Sequence, residues 1–168
     1  MLQSGSTSKK HILFLCSEST GRPETELLRS VLALFPADRF ETQLVRLTGE
    51  RPDRQFLQLA SPLKSRLHLI FSLDCLGFDF MTFGGFPLFN TYWTPCATLL
   101  TRPAAQFAPF LRLEWNLNIA LLCSSGPDCD YIRRSFPQLD DVRLIPNPAE
   151  DPETLFSELF SLAERYPA

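Results

Sequence analysis

Residues 11–30, HILFLCSESTGRPETELLRS, contain an apolar run, a small polar loop and the start of a helix. The run from His11 to Cys16 is short and almost wholly apolar, which is typical of a strand buried on both faces of a sheet. Pro23 suits the first turn of a helix, and apolar residues then follow at helical spacing as far as Phe35. This order of strand, loop and helix predicts the first unit of a parallel α/β domain.

The same order recurs along the rest of the chain. Further apolar runs predict strands at residues 40–47, 67–73, 96–101, 118–123 and 142–145. Helical patterns lie at 52–60, 104–113 and 128–136, with a short helix near Pro87 and a last helix capped by Asp151. This alternation predicts a doubly wound, mostly parallel, Rossmann-like sheet in three layers. We expect a flexible tail at residues 1–9 and a single domain over residues 10–168.

Polar loops follow several strands at their carboxyl ends, which is the edge where doubly wound sheets bind ligands. We expect a small ligand to contact this edge, with Arg22 and Arg102 as contacts to an anionic group. The predicted ligand-binding residues are Ser17, Glu18, Ser19, Thr20, Gly21, Arg22, Asp74, Arg102, Ser124 and Ser125. Helix capping explains the two serine-containing loops equally well, so both interpretations stay open.

The segment from Cys16 to Arg22, C-S-E-S-T-G-R, resembles the phosphate loop of low-molecular-weight tyrosine phosphatases. The resemblance implies a Cys16 nucleophile and an Arg22 phosphate clamp. The same cysteine–arginine spacing recurs at residues 96–102, and Glu18 places a negative charge in the loop. A small apolar residue that ends a buried strand is the other interpretation of Cys16, and we rank the phosphatase hypothesis second.

A longer stretch resembles the amino-terminal half of bacterial GT-B glycosyltransferases of the spore-maturation type. It covers residues 67–150 and includes LIFSLDCLGFDF, FPLFNTYWTPCATLLTRP and NIALLCSSGPDCDYIRRSFPQLDDVRLIPNP. The family tends to carry Asp-His-Pro where this chain has Thr101-Arg102-Pro103, and a histidine where it has Asn147. The resemblance implies a Rossmann-like half that binds a nucleotide sugar, another anionic small ligand or a protein partner.

A GT-B enzyme works in the cleft between two such halves, and these 168 residues correspond to one. We therefore expect a glycosyltransferase-like binding module that does not catalyse alone, and an enzyme only as a glycosyltransferase subunit or a phosphatase.

Aromatic residues are concentrated between residues 83 and 93: Phe83, Phe86, Phe89, Tyr92 and Trp93. Core packing is the simpler explanation for this cluster. The alternative is an exposed aromatic face that contacts a sugar ring or a protein partner, or that makes the protein a dimerising scaffold.

Composition and charge exclude several other classes. The net charge is −3 and no basic run follows the first ten residues, so we expect no nucleic-acid partner. No apolar run is long enough for a membrane helix, and the N-terminus lacks an apolar signal core. Five cysteines without a CxxC pair fit a cytoplasmic protein with reduced thiols. We predict no cofactor, since no GxGxxG occurs, and no metal, since Asp74 and Asp79 have no third ligand at a suggestive spacing.

Overall fold

The computed structural model describes residues 9–113 and 119–165, which form an α/β domain around a six-stranded sheet. All of its strand pairs are parallel, as predicted. The strands are β1 Lys10–Ser17, β2 Phe40–Leu47, β3 Leu67–Leu73, β4 Cys96–Leu100, β5 Ile119–Cys123 and β6 Val142–Leu144. The predicted tail lies outside the described residues except for Lys9, and so does Asn118 at the predicted start of β5.

The strand order is β2-β1-β3-β4-β5-β6. The chain therefore moves outward from β1 to β2, returns past β1 to β3, and then continues in the opposite direction to β6. Because the winding reverses between β1 and β3, their following loops diverge to opposite faces and leave a crevice at the carboxyl edge. Ligands of doubly wound sheets bind at such a switch point.

Helices cover both faces of the sheet and complete the three layers. They are α1 Arg22–Ala33, α2 Pro52–Ala60, α3 Ala108–Leu111, α4 Gly126–Ser135 and α5 Pro152–Glu164. Leu28 of α1 and Leu155 of α5 share one hydrophobic core, and Phe56 of α2 shares the other with Ile132 of α4. The doubly wound fold predicted from the alternation is thus confirmed.

Strand β1 shows why these strands read as continuous apolar runs. Ile12, Phe14 and Cys16 face the core under α1 and α5, whereas Leu13 and Leu15 face the opposite core. Successive strand residues point to opposite faces, so a strand covered on both sides needs apolar residues at every position. Each of these five side chains is buried.

The connection after β3 contains the short helix predicted near Pro87, whereas the connection after β4 is less helical than the sequence predicts. Between β3 and β4 the chain forms a turn, a bridge between Met81 and Pro87, and a short 3₁₀ helix at Leu88–Thr91. The predicted helix at 104–113 divides into a 3₁₀ helix at Ala104–Phe107 and the short α3. Pro109 explains that division, because it lacks an N–H and its ring clashes with the carbonyl four residues earlier in an α-helix.

Candidate functional site

A cleft of about 650 Å³ lies over the switch point between β1 and β3. It is lined by residues from the loop after β1, the turn after β3 and the loop after β4. Six of the predicted ligand-binding residues line this cleft: Ser17, Ser19, Thr20, Gly21, Asp74 and Arg102. The wall also contains residues that the sequence analysis did not select for ligand contact: Glu24, Leu73, Cys75, Leu76, Asp79, Thr101, Phe107 and Phe110.

The carboxylate of Asp74 joins the turn after β3 to the loop after β4 through hydrogen bonds. Its Oδ1 accepts a hydrogen bond from the Thr101 N–H at 2.8 Å, and its Oδ2 accepts from the Thr101 hydroxyl at 2.8 Å. The Arg102 Nε–H donates to Oδ2 at 2.9 Å, which makes the contact a salt bridge. Asp74 and Arg102, predicted as separate ligand contacts, therefore form one bonded unit.

The turn that presents Asp74 has unusual backbone geometry. Asp74 has a φ of 50° and Cys75 has a φ of 59°, and Gly77 follows at 88°. Residues other than glycine seldom adopt this left-handed region, and such strain persists only where the surroundings enforce it. Here the buried Thr98 hydroxyl accepts the Cys75 N–H at 3.0 Å and lies 3.3 Å from the donating hydroxyl of Ser72.

Hydroxyl groups line the loop after β1. The Ser17 N–H donates to Oγ1 of Thr20 at 2.9 Å, and the Ser17 and Ser19 hydroxyls lie 2.8 Å apart. The backbone closes the same turn, because the Thr20 N–H donates to the Ser17 carbonyl at 3.2 Å. The bonds fix the loop while leaving Ser19 exposed on the cleft side.

A carboxylate of the protein, that of Glu24, lies beside the N-terminus of α1. Gly21 is the N-cap of this helix, and a Cβ at Gly21 would lie 2.3 Å from Oε2 of Glu24. A helix N-terminus attracts anions, and Glu24 places its own negative charge in the first turn of α1. An acidic residue in the first turn of a predicted helix is the sequence signal that could have identified Glu24.

Cys16 and Arg22 do not line a common cavity. Cys16 is 1% exposed and packs into the core under α1 and α5, where it pairs with Arg46 in the β1–β2 ladder. The Arg22 side chain is 89% exposed, and its Nε–H donates to Glu26 at 2.8 Å on the outer surface of α1. Glu18 is exposed and does not line the cleft either.

The two serines after β5 lie outside the cleft. Ser125 is the N-cap of α4, and its Oγ accepts the Asp128 N–H at 3.3 Å. Its hydroxyl donates to the carboxylate of Asp128, whose other oxygen accepts the Ala104 N–H at 2.7 Å. Capping thus accounts for Ser125. Ser124 lines a smaller pocket beside the cleft.

The aromatic cluster between residues 83 and 93 divides into two parts. Phe89 and Tyr92 are buried against Phe56, with ring centroids 5.1 Å and 5.5 Å away. Phe83 is fully exposed at the Gly84-Gly85 turn, and Phe86 and Trp93 are also exposed. A single exposed aromatic face made of all five residues is therefore wrong, because two of the rings belong to the core.

The five cysteines are free thiols with buried side chains. Burial raises the pKa of Cys75, Cys96 and Cys123, and the neighbouring Asp74 carboxylate raises that of Cys75 further. Within the described residues, no group of three or more His, Cys, Asp or Glu side chains is placed to hold a metal ion. Across residues 9–113 and 119–165, none of the helices combines the length and apolarity needed to cross a membrane.

Comparison with protein-family models, curated proteins and solved structures found no match to this chain. The likenesses to GT-B glycosyltransferases and to low-molecular-weight tyrosine phosphatases stay hypotheses.

Proposed function

We propose that this domain is a binding module whose switch-point cleft takes a small, hydroxyl-rich and uncharged ligand such as a sugar. The observation that carries the proposal is the coincidence of a polar cleft with the reversal of winding between β1 and β3. Hydroxyls of Ser17, Ser19 and Thr20 line the cleft after β1, and the carboxylates of Asp74 and Asp79 line it after β3. The serine and threonine hydroxyls can donate hydrogen bonds to sugar hydroxyls or accept them, and the carboxylates can accept them.

Charge argues for an uncharged ligand over the anionic one expected from the sequence. The lining contains the carboxylates of Glu24, Asp74 and Asp79 and one guanidinium, that of Arg102. Arg102 already pairs with Asp74, and the carboxylate of Glu24 lies beside the N-terminus of α1. An incoming phosphate would meet the carboxylates of Glu24 and Asp79, and this repulsion is unfavourable in a cleft partly shielded from water.

Aromatic rings supply the apolar part of the wall. Phe107 is buried beneath the Arg102 guanidinium, which lies 5.0 Å from the ring centroid, and Phe110 lines the same side. A sugar has C–H faces as well as hydroxyls, so a cleft with aromatic and carboxylate walls suits it. This chemistry is consistent with the proposed relation to a GT-B amino-terminal half, in which this chain binds without catalysing alone.

A thermal-shift panel tests the proposal. Neutral mono- and disaccharides should raise Tm in a concentration-dependent way, whereas nucleotides and sugar phosphates at matched ionic strength should not. Asp79→Ala should weaken the sugar-induced shift, because its exposed carboxylate lines the cleft. Asp38→Ala, an exposed carboxylate outside the cleft lining, is the matched control. Stabilisation by phosphates alone would overturn the proposal.

The phosphatase alternative has less support from the geometry. A cysteine nucleophile must reach the phosphorus atom, and Cys16 packs in the core while Arg22 points away from the cleft. The binding proposal is preferred on this ground.

Self-association is a second candidate role, favoured by the exposed rings of Phe83, Phe86 and Trp93. We propose a second copy of this chain as the partner. Light scattering coupled to size-exclusion chromatography should then show a dimer that Phe83→Ser weakens. Leu34→Ser, at the exposed leucine that caps the C-terminus of α1, is the control, and a monomer at all concentrations would exclude this role.

A further inference from the structure

A second pocket of about 250 Å³ adjoins the cleft along the carboxyl edge of the sheet. Its walls are mostly apolar, and the apolar residues come from three parts of the chain: Pro23, Leu27, Leu99, Leu100, Pro148 and Ala149. Leu99 and Leu100 end β4 and are buried, so they form the floor, while Leu27 of α1 is only partly buried and forms one side.

The two pockets share Glu24 and Thr101 as lining residues. Glu24 faces both from the first turn of α1, and Thr101 faces both from the loop after β4. A molecule lying over these two residues would have a polar space on one side and an apolar space on the other. The pocket and the cleft can therefore be occupied by two ends of one ligand.

The far wall of the second pocket depends on a turn at Asn147. Asn147 has a φ of 48°, which asparagine adopts more readily than most residues. Its carbonyl accepts hydrogen bonds from the N–H groups of Glu150 and Asp151 at 2.9 Å and 3.0 Å. This bonded turn holds Pro148 and Ala149 in the pocket wall, next to the N-terminus of α5.

We infer that the ligand is amphipathic, with a hydroxyl-rich head in the switch-point cleft and a short apolar group in the second pocket. The inference rests on the proposed function for its polar half. Apolar cavities of roughly 150 Å³ hold a benzene ring, so the second pocket has room for a ring or a short alkyl chain. A plain sugar would leave the apolar surface of Leu27 in water.

Alkyl glucosides with a constant head group test this inference. Methyl, n-butyl and n-hexyl β-D-glucoside are titrated into the ¹⁵N-labelled protein, and affinities are taken from amide shifts. The hexyl compound should bind about tenfold tighter than the methyl compound, because its chain leaves water. The amides of Leu100 and Ala149 should shift with the longer chains, and those of Ser19 and Thr20 with every member of the series.

Two variants act on the apolar pocket in different ways. Leu27→Asn makes its side polar, and Ala149→Phe adds bulk at its wall; each should remove the gain from the longer chain and leave methyl glucoside binding within twofold. Leu59→Asn is the matched control, since Leu59 is likewise a partly buried leucine packed against the core, but on α2, across the sheet. A chain-length gain that persists in both pocket variants reflects non-specific alkyl binding and overturns the inference.

The remaining outcomes separate the two proposals. Equal affinities for methyl and hexyl glucoside would overturn the amphipathic ligand and leave the binding module intact. If no glucoside shifts the cleft amides, the sugar proposal falls, and cyclohexanol then tests the apolar pocket alone. Shifts at Leu100 and Ala149 that Leu27→Asn abolishes would support the apolar half, and their absence would overturn it.

Discussion

Arg102 donates from Nε to Oδ2 of Asp74 over 2.9 Å and thereby joins the loops that follow β3 and β4. The same carboxylate accepts two hydrogen bonds from Thr101, so it bonds both residues that follow β4. Asp74 adopts its left-handed conformation at the edge where β1 and β3 diverge. The wall of the cleft is thus a preorganised unit, and its integrity depends on one side chain.

Replacing Asp74 with Ala and with Asn should show how much its hydrogen bonds and its left-handed backbone each contribute to the free energy of unfolding. Asp74→Ala removes three hydrogen bonds and should lower the free energy of unfolding by about 2–3 kcal/mol. Asp74→Asn keeps an accepting oxygen and tolerates the left-handed φ, so its cost should be about 1 kcal/mol. Urea denaturation measures both. Asp79→Ala in the same loop should change stability by less than about 0.5 kcal/mol, and equal losses for the three variants would contradict this account.

Gly77 carries both a conformational and a steric requirement. Its φ is 88°, and an added Cβ would lie 2.5 Å from Cζ of the buried Phe89 ring. Gly77→Ala should therefore cost at least about 3 kcal/mol, from backbone strain plus displacement of a core ring.

Two other glycines provide reference values for the stability loss expected at Gly77. Gly49 has a φ of 75° and open space around its Cα, so Gly49→Ala should show the strain alone, about 1 kcal/mol. Gly126 begins α4 with open space and no left-handed φ, so Gly126→Ala should be neutral or slightly stabilising. Thermal unfolding of the three variants should rank them in this order, and a Gly77 variant as stable as the Gly49 variant would disprove the clash with Phe89.

Local patterns were sufficient for most elements of the fold. Strand β2, helix α2 and strand β3 have their predicted bounds, because each is an apolar or amphipathic run ended by proline or polar residues. Strand order could not be predicted from such patterns, because the reversal at β1 depends on contacts between residues distant in the chain. Pro109 has no N–H to donate within an α-helix, so the 3₁₀ start at Ala104–Phe107 could have been inferred from the sequence.

Lining residues that follow strand ends could be predicted from the sequence, whereas those that depend on side-chain direction could not. The topological rule selects the lining residues that follow the carboxyl ends of strands: Ser17, Ser19, Thr20, Gly21, Asp74 and Arg102. Arg22 follows the same loop but turns outward to Glu26, as a helix start allows. Phe107 and Phe110 enter the lining through the fold of a short helical segment, which no motif indicates.

Acid should weaken the contact between β6 and the end of α5. Burial alone would raise the pKa of Asp141, but the hydrogen bonds and charges of Arg143 and Arg165 outweigh it and hold that pKa below its usual range. Arg143 also bonds Glu158 of α5, so the network joins strand to helix. A depressed folded-state pKa stabilises the fold above the ordinary value near 3.8 and loses this effect as pH falls further.

Asp141→Asn should accordingly lower stability by about 1–2 kcal/mol at pH 7 and reduce the fall in Tm between pH 5 and pH 3. Asp140→Asn changes the exposed neighbouring carboxylate and serves as the control. Parallel Tm–pH curves for wild type and Asp141→Asn would show that this carboxylate does not carry the acid dependence.

Cys16 should behave as a core residue and not as a nucleophile. Its side chain is 1% exposed among apolar neighbours, so a serine hydroxyl there would lose water without an assured partner. Cys16→Ser should lower the free energy of unfolding by about 1–3 kcal/mol, more than Cys16→Ala, which leaves no polar group to bury. Wild type should hydrolyse p-nitrophenyl phosphate no faster than background. Hydrolysis that disappears in Cys16→Ser, Cys16→Ala and Arg22→Ala, with the variants still folded, would make the phosphatase the better account of this loop.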